Sequence, residues 1–168
     1  MLKVLVVGTQ PIVRDAWGRL VAQLEEGAAW LDAENAAAGA VLLASRDDIA
    51  LAIVEVAAQQ EVTAAIEALR AARASCPLLA VAAEDDASLA RTALGAGARG
   101  FVSTRAPLPV LREVVRLLLA GGSYIPPAAA GVSAVSASGA QPILLQPPRS
   151  ERRTQEVRLT ERQQAVLA

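Results

Sequence analysis

The chain has 168 residues, is 54% hydrophobic but only 2% aromatic, and carries a net charge of −1. That balance excludes a broad electrostatic pull toward nucleic acid or membrane surfaces. The lack of any histidine removes Ser-His and Cys-His pairs, the imidazole general base and most zinc sites, so an enzyme is not expected.

Residues 2–7, LKVLVV, form an apolar run that stops at Gly8 and predict a first strand. Pro11 suits a first helical turn, and Ile12, Val13, Trp17, Leu20, Val21 and Leu24 recur on one helical face over 11–25. A short strand is predicted near 28–33, followed by an alanine-rich helix to about residue 45. Residues 49–55 are a continuous apolar strand, the pattern expected when helices cover both faces of a sheet. A helix over about 60–74, a strand over 78–82, a helix over 86–96, a strand over 99–103 and a helix over 107–120 complete the series. Cys76, the only cysteine, precedes the fourth strand and reads as a packed thiol. Five strands alternating with five helices predict an α/β fold with a five-stranded, parallel, doubly wound sheet.

Sites in such sheets form beyond the C-terminal strand ends. Those ends bring Gly8 and Thr9, Glu55, Ala82 and Ala83, and Ser103 and Thr104 to one edge. Residues 126–158 are rich in Ala, Ser, Pro and Gly and then charged, and read as a flexible linker. At 159–168, LTERQQAVLA, Thr160 and Gln163 have the spacing of a capping box, so a new helix is expected there.

Four stretches carry a resemblance. KVLVVGTQPIVRDAW, ALGAGARGFVSTRAP, GGSYIPPAAA and LTERQQAVLA occur in the order found in NarL/FixJ-type (LuxR-type) response regulators. Over residues 1–125 the chain resembles their flavodoxin-like receiver domain, and 159–168 resembles an incomplete opening of their helix-turn-helix DNA-binding domain. The resemblance implies a cytoplasmic transcription regulator of a two-component system. It also implies a site in which an acidic pair holds magnesium, an aspartate accepts phosphate, a hydroxyl senses it and a lysine pairs with it. Matched residue by residue, the acidic pair falls on Gly8 and Thr9, the acceptor on Glu55, the hydroxyl on Ala82 and the lysine on Thr104. Every position departs from the pattern. The only lysine, Lys3, stands at the wrong end of the first strand.

The expectation is therefore a degenerate receiver that is not phosphorylated and holds neither metal nor cofactor. Three roles stay open for Glu55: a partial imitation of phosphate, a solvated carboxylate at the sheet edge, or part of a site for a small molecule or protein that reuses the vacated pocket. Phe101 falls at the family's rotating aromatic and, with Ala82 beside it, is expected to serve in packing. The fifth helix is apolar on more than one face, and Leu111, Val114, Val115 and Leu118 are assigned to a homodimer contact. DNA contact is assigned to the helix-turn-helix, and no membrane partner is expected.

Three further features resolve to bland readings. GAGARG at 95–100 matches a dinucleotide-binding pattern but closes a helix instead of opening one, so Gly95 and Gly97 are read as a helix stop. Glu84, Asp85 and Asp86 read as a solvated loop, and Arg149, Arg152, Arg153 and Arg158 as solvated linker charges.

Overall fold

The computed structural model describes residues 1–131 and 144–145. Its elements follow the predicted order: β1 (Lys3–Val7), α1 (Pro11–Ala22), β2 (Ala29–Ala33), α2 (Ala36–Ser45), β3 (Leu51–Glu55), α3 (Gln59–Ala72), β4 (Leu78–Ala82), α4 (Ala87–Ala96), β5 (Gly100–Ser103) and α5 (Leu108–Leu119). Two short strands are added, β6 (Ser123–Tyr124) and β7 (Leu144–Leu145). The sheet order is β2-β1-β3-β4-β5-β6-β7. The first six strands are parallel, and β7 pairs antiparallel with β6. The expected five-stranded sheet is thus corrected to six parallel strands. A two-residue strand is too short to show a period, so β6 left no signal in the sequence. Apart from 126–131 and β7, the predicted linker and the predicted opening of a helix-turn-helix lie outside the described residues. No helix among the described residues is long and apolar enough to cross a membrane.

Strand alternation divides the core in two. Val4, Val6, Leu51, Ile53, Leu79, Val81 and Val102 face α1 and α5, while Leu5, Val7, Ala52, Val54, Ala80 and Ala82 face α2, α3 and α4. Helix α1 begins on Pro11 and buries Trp17, Leu20 and Val21. Asn35 caps α2 by accepting a hydrogen bond from the Ala38 amide (2.8 Å), and Asp86 caps α4 through the amides of Ser88 and Leu89. Gly97, at φ +113°, ends α4 in the left-handed conformation, and Arg70 packs where a Cβ would stand. Gly95 lies inside α4, so the helix stop belongs to Gly97 alone.

Helix α5 corrects one assignment. Leu111, Val114, Val115 and Leu118, placed in a contact between copies, are buried within this monomer beside Trp17, Leu20 and Val21 of α1. Their i, i+3, i+4, i+7 spacing is the stripe that seats α5 on its own sheet. The apolar side chain that α5 leaves on the surface is Leu108, 48% exposed. Trp17 is buried as well.

Cys76 is buried, and that burial pushes its thiol above the ordinary value of 9.0, against the opposing pull of a hydrogen bond with Arg73. The folded thiol therefore keeps its proton at a pH where the unfolded one has lost it. Above about pH 9 the unfolded state binds fewer protons, so stability falls as pH rises through that value until the folded thiol also ionises. Tyr124 is raised by burial too, from 10.0, and extends the fall. Denaturant midpoints measured between about pH 8 and pH 11 should decline, and Cys76→Ala should flatten the first part of that decline. An unchanged slope in Cys76→Ala would assign the loss to other groups.

Candidate functional site

The loops after β1, β3, β4 and β5 meet at one edge of the sheet, as the doubly wound order requires. Glu55 ends β3 opposite Val81 of β4. Its carboxylate turns toward β1, not toward β5. A Cβ built on Gly8 would lie 2.5 Å from Glu55 Oε2 and 3.1 Å from Glu55 Cβ. Gly8, itself buried, therefore leaves the space that the glutamate fills. Glu55 as a whole is half-buried, yet Oε2 is buried without a hydrogen-bond partner among the described residues. Such an oxygen loses hydration that nothing in the fold replaces.

The remaining predicted positions scatter around it. Ala82 ends β4 and is buried in the α3–α4 side of the core. Thr104 is exposed. Its amide donates to Ala82 O (2.9 Å) and its hydroxyl to Ala83 O (3.3 Å), so it ties the β5–α5 loop to the β4–α4 loop and does not reach Glu55. Arg105 reinforces that tie through Glu84 at 2.8 Å. Thr9 is exposed and makes no side-chain hydrogen bond to Glu55. Phe101 is 1% exposed and packs in the core with Ala80 and Ala82. Ser103, beside Ala82 in the register, is buried with its hydroxyl unpartnered.

Lys3, the only lysine, is held away from Glu55. It starts β1 and pairs with Asp48 in the loop before β3, at the opposite edge of the sheet. That hydrogen bond, first among its causes, holds the Asp48 carboxyl below its usual value. β1 spans five residues at roughly 3.3 Å each, so the lysine sits a full strand length from Glu55.

Sequence reasoning missed two contributors. Arg14 on α1 donates through Nη1 to the carbonyl of Gly8 and pairs through Nε with Asp32 at 3.2 Å. It places a guanidinium next to Gly8, at the end of β1. The sequence offered only an arginine in a first helical turn as a signal. The second is a cleft of about 410 Å3 formed by the ends of β1 and β3, the start of α2 and the first turns of α3. Gly8, Thr9 and Glu55 line it, whereas Ala82 and Thr104 do not. Glu34 and Glu61 join it from positions where carboxylates also suit helix N-termini, which is why they drew no notice. Among the described residues, no three His, Cys, Asp or Glu side chains come close enough to hold a metal ion.

No protein-family model and no curated protein matches the chain. Solved structures do. A LuxR-family DNA-binding response regulator from Silicibacter pomeroyi superposes with a TM-score of 0.62 at 24% identity, covering 72% of this chain and 92% of that one. A LuxR-family two-component response regulator from Aurantimonas sp. SI85-9A1 gives 0.66 at 20% identity, over 78% and 94%. A signal receiver domain of a two-component histidine kinase from Clostridium thermocellum gives 0.60 at 20% identity, over 70% and 96%. At these identities the likeness establishes the fold: this chain has the receiver architecture.

Proposed function

We propose that this chain is the degenerate, non-phosphorylated receiver portion of a cytoplasmic DNA-binding transcription regulator, and that it works as a regulatory and dimerisation scaffold, not as an enzyme. The observation that carries the reading is the state of the β3 end. Phosphoryl transfer to a carboxylate needs a cation to neutralise the incoming charge and positioned donors to hold it. Here the carboxylate is pressed against Gly8, with Oε2 unpartnered and Thr104 engaged elsewhere. The one lysine is bound at the far edge. A phosphate-imitating Glu55 is the weaker reading, because neither a hydroxyl nor an ammonium group reaches it.

The loops that would respond to phosphate are joined by Thr104–Ala83 and Arg105–Glu84, which supports a single standing arrangement in place of a switched one. DNA contact belongs to the helix-turn-helix domain of the full protein, whose opening residues 159–168 resemble and which they do not complete, and contact between copies to the outer face of α5 around Leu108. Intact-mass analysis after incubation with acetyl phosphate and magnesium should show no added phosphate. A phosphorylated Glu55 would overturn the proposal.

A second reading is favoured by the cleft itself: a ligand-sensing or protein-docking module in which Gly8, Thr9 and Glu55 line a binding site.

A further inference from the structure

We infer that the free edge of β2 pairs antiparallel with β2 of a second copy, joining two sheets across a two-fold axis. This contact goes beyond the α5 contact proposed above, because β1, β3 and β4 stand between β2 and β5 in the sheet. β2 is the outermost strand and pairs only with β1. The Ala29 amide donates to Leu2 O and the Ala33 carbonyl accepts from the Gly8 amide, so Ala29, Leu31 and Ala33 turn their backbone groups to β1. By alternation Trp30 and Asp32 turn theirs outward, and among the described residues neither has a backbone partner there. An outer row of free amides and carbonyls is a template for another strand, which sheets ordinarily block with lysine, proline, a charge or a covering segment. The β2 run AWLDA has no lysine or proline, and its single charge, Asp32, is already paired with Arg14 at 3.2 Å.

The occupant is a second copy because the edge complements itself. With Leu31 on the two-fold axis, Trp30 and Asp32 of one copy face Asp32 and Trp30 of the other, and their outward amides and carbonyls bond to each other. The intervening pairs are then Leu31 with Leu31 and Ala29 with Ala33, apolar in every case, and no like charges stand opposite each other. Trp30 of one copy comes to the Asp32–Arg14 ion pair of the other, where a guanidinium suits an indole face. Trp30 also supplies apolar area to bury: it is 37% exposed, although it packs where a Cβ on Gly18 would stand. α2, packed over β1 and β2, adds an uncharged flank, since none of its ten residues carries a charge and Val41 is 67% exposed. One five-residue strand and one ten-residue helix fall short of the roughly 20–30 residues a side of a permanent interface, so the pairing is reversible.

The test is hydrogen–deuterium exchange read by mass spectrometry, beside light scattering, on the 168-residue chain from about 1 µM to about 500 µM. A Leu108→Asp background keeps the α5 contact out of the measurement. The mass should rise toward that of two copies, and the segment holding residues 29–33 should gain two protected amides, with exchange slowed about tenfold, over the same range. Asp32→Pro removes one outward N–H and leaves the bonds to β1 in place, as an edge strand tolerates. It should return the mass to that of one copy and abolish the added protection. Trp30→Asp sets a carboxylate opposite Asp32 of the other copy and should do the same, which keeps the test available if the proline perturbs folding. A single-copy mass at the highest concentration would overturn the assignment and leave the edge to a foreign strand. A dimer whose 29–33 amides exchange as fast as in the monomer, or one that survives both variants, would overturn it as well.

Discussion

Leu118→Ala should lower the free energy of unfolding by about 2–5 kcal/mol, the cost of deleting a buried leucine and leaving a cavity. Leu118 is 1% exposed and closes the core between α5, β5 and Tyr124 of β6. Its methyl groups lie within van der Waals reach of Gly100, where a built Cβ would meet Leu118 Cδ1 at 3.2 Å. The surrounding strands hold their register and cannot collapse onto the space. A domain of this size is stable by about 5–15 kcal/mol, so the loss is a large fraction of the whole. The same variant should leave the mass in solution unchanged, because the side chain is not on the surface. Leu108→Asp should do the reverse, changing stability by less than about 0.5 kcal/mol while reducing the association proposed for α5. Urea unfolding together with light scattering reads both arms. If Leu118→Ala dissociates a dimer without loss of stability, the core assignment of the α5 stripe is wrong.

Gly8→Asp should destabilise the domain by about 1–3 kcal/mol, although it restores an acid at a position where the resembled family carries one. The new Cβ would stand 2.5 Å from Glu55 Oε2, and its carboxylate would crowd an oxygen that already lacks a partner. Overpacking and like charge act in the same direction here. Glu55→Ala should be close to neutral by itself and should remove most of the penalty in the double variant. The double-mutant cycle should then give a coupling of about 1–3 kcal/mol, as contacting residues do. Additive losses would mean that Gly8 and Glu55 do not share the space as described. The coupling also accounts for the residues at 8 and 55 together. A glutamate reaches one methylene further than an aspartate, and the side-chain-free position at 8 receives it. Glu55 occupies the room that the missing side chain of Gly8 leaves.

Much of this was legible in advance, for reasons that differ from element to element. The run LAIVE at 51–55 is apolar because helices cover both faces of β3, so the strand and its terminal carboxylate were readable as soon as the run ended in Glu55. The stripe of α5 was readable too, but not its partner. Spacing says that Leu111, Val114, Val115 and Leu118 face something, and it does not distinguish a sheet in the same chain from a second copy. Spare apolar residues such as Leu108 made the second copy attractive, whereas the sheet had the prior claim. GAGARG illustrates the opposite case. Its pattern suggested a nucleotide, and its position between α4 and β5 ruled that out before any coordinate was needed.

The chain alone determined the alternating order of strands and helices, the edge where their C-terminal ends meet, and the departures at Gly8, Thr9, Glu55, Ala82 and Thr104. These are local properties of period, turn chemistry and residue identity, and they survive without knowledge of distant contacts. Only the tertiary structure decided that Glu55 leans into the gap at Gly8, that Thr104 binds the β4–α4 loop, that Lys3 is held at the far edge by Asp48, and that Glu34 and Glu61 share a cleft with Glu55. Each of those facts depends on side chains from separate elements competing for the same space. A linear pattern carries no record of which competitor lies nearest.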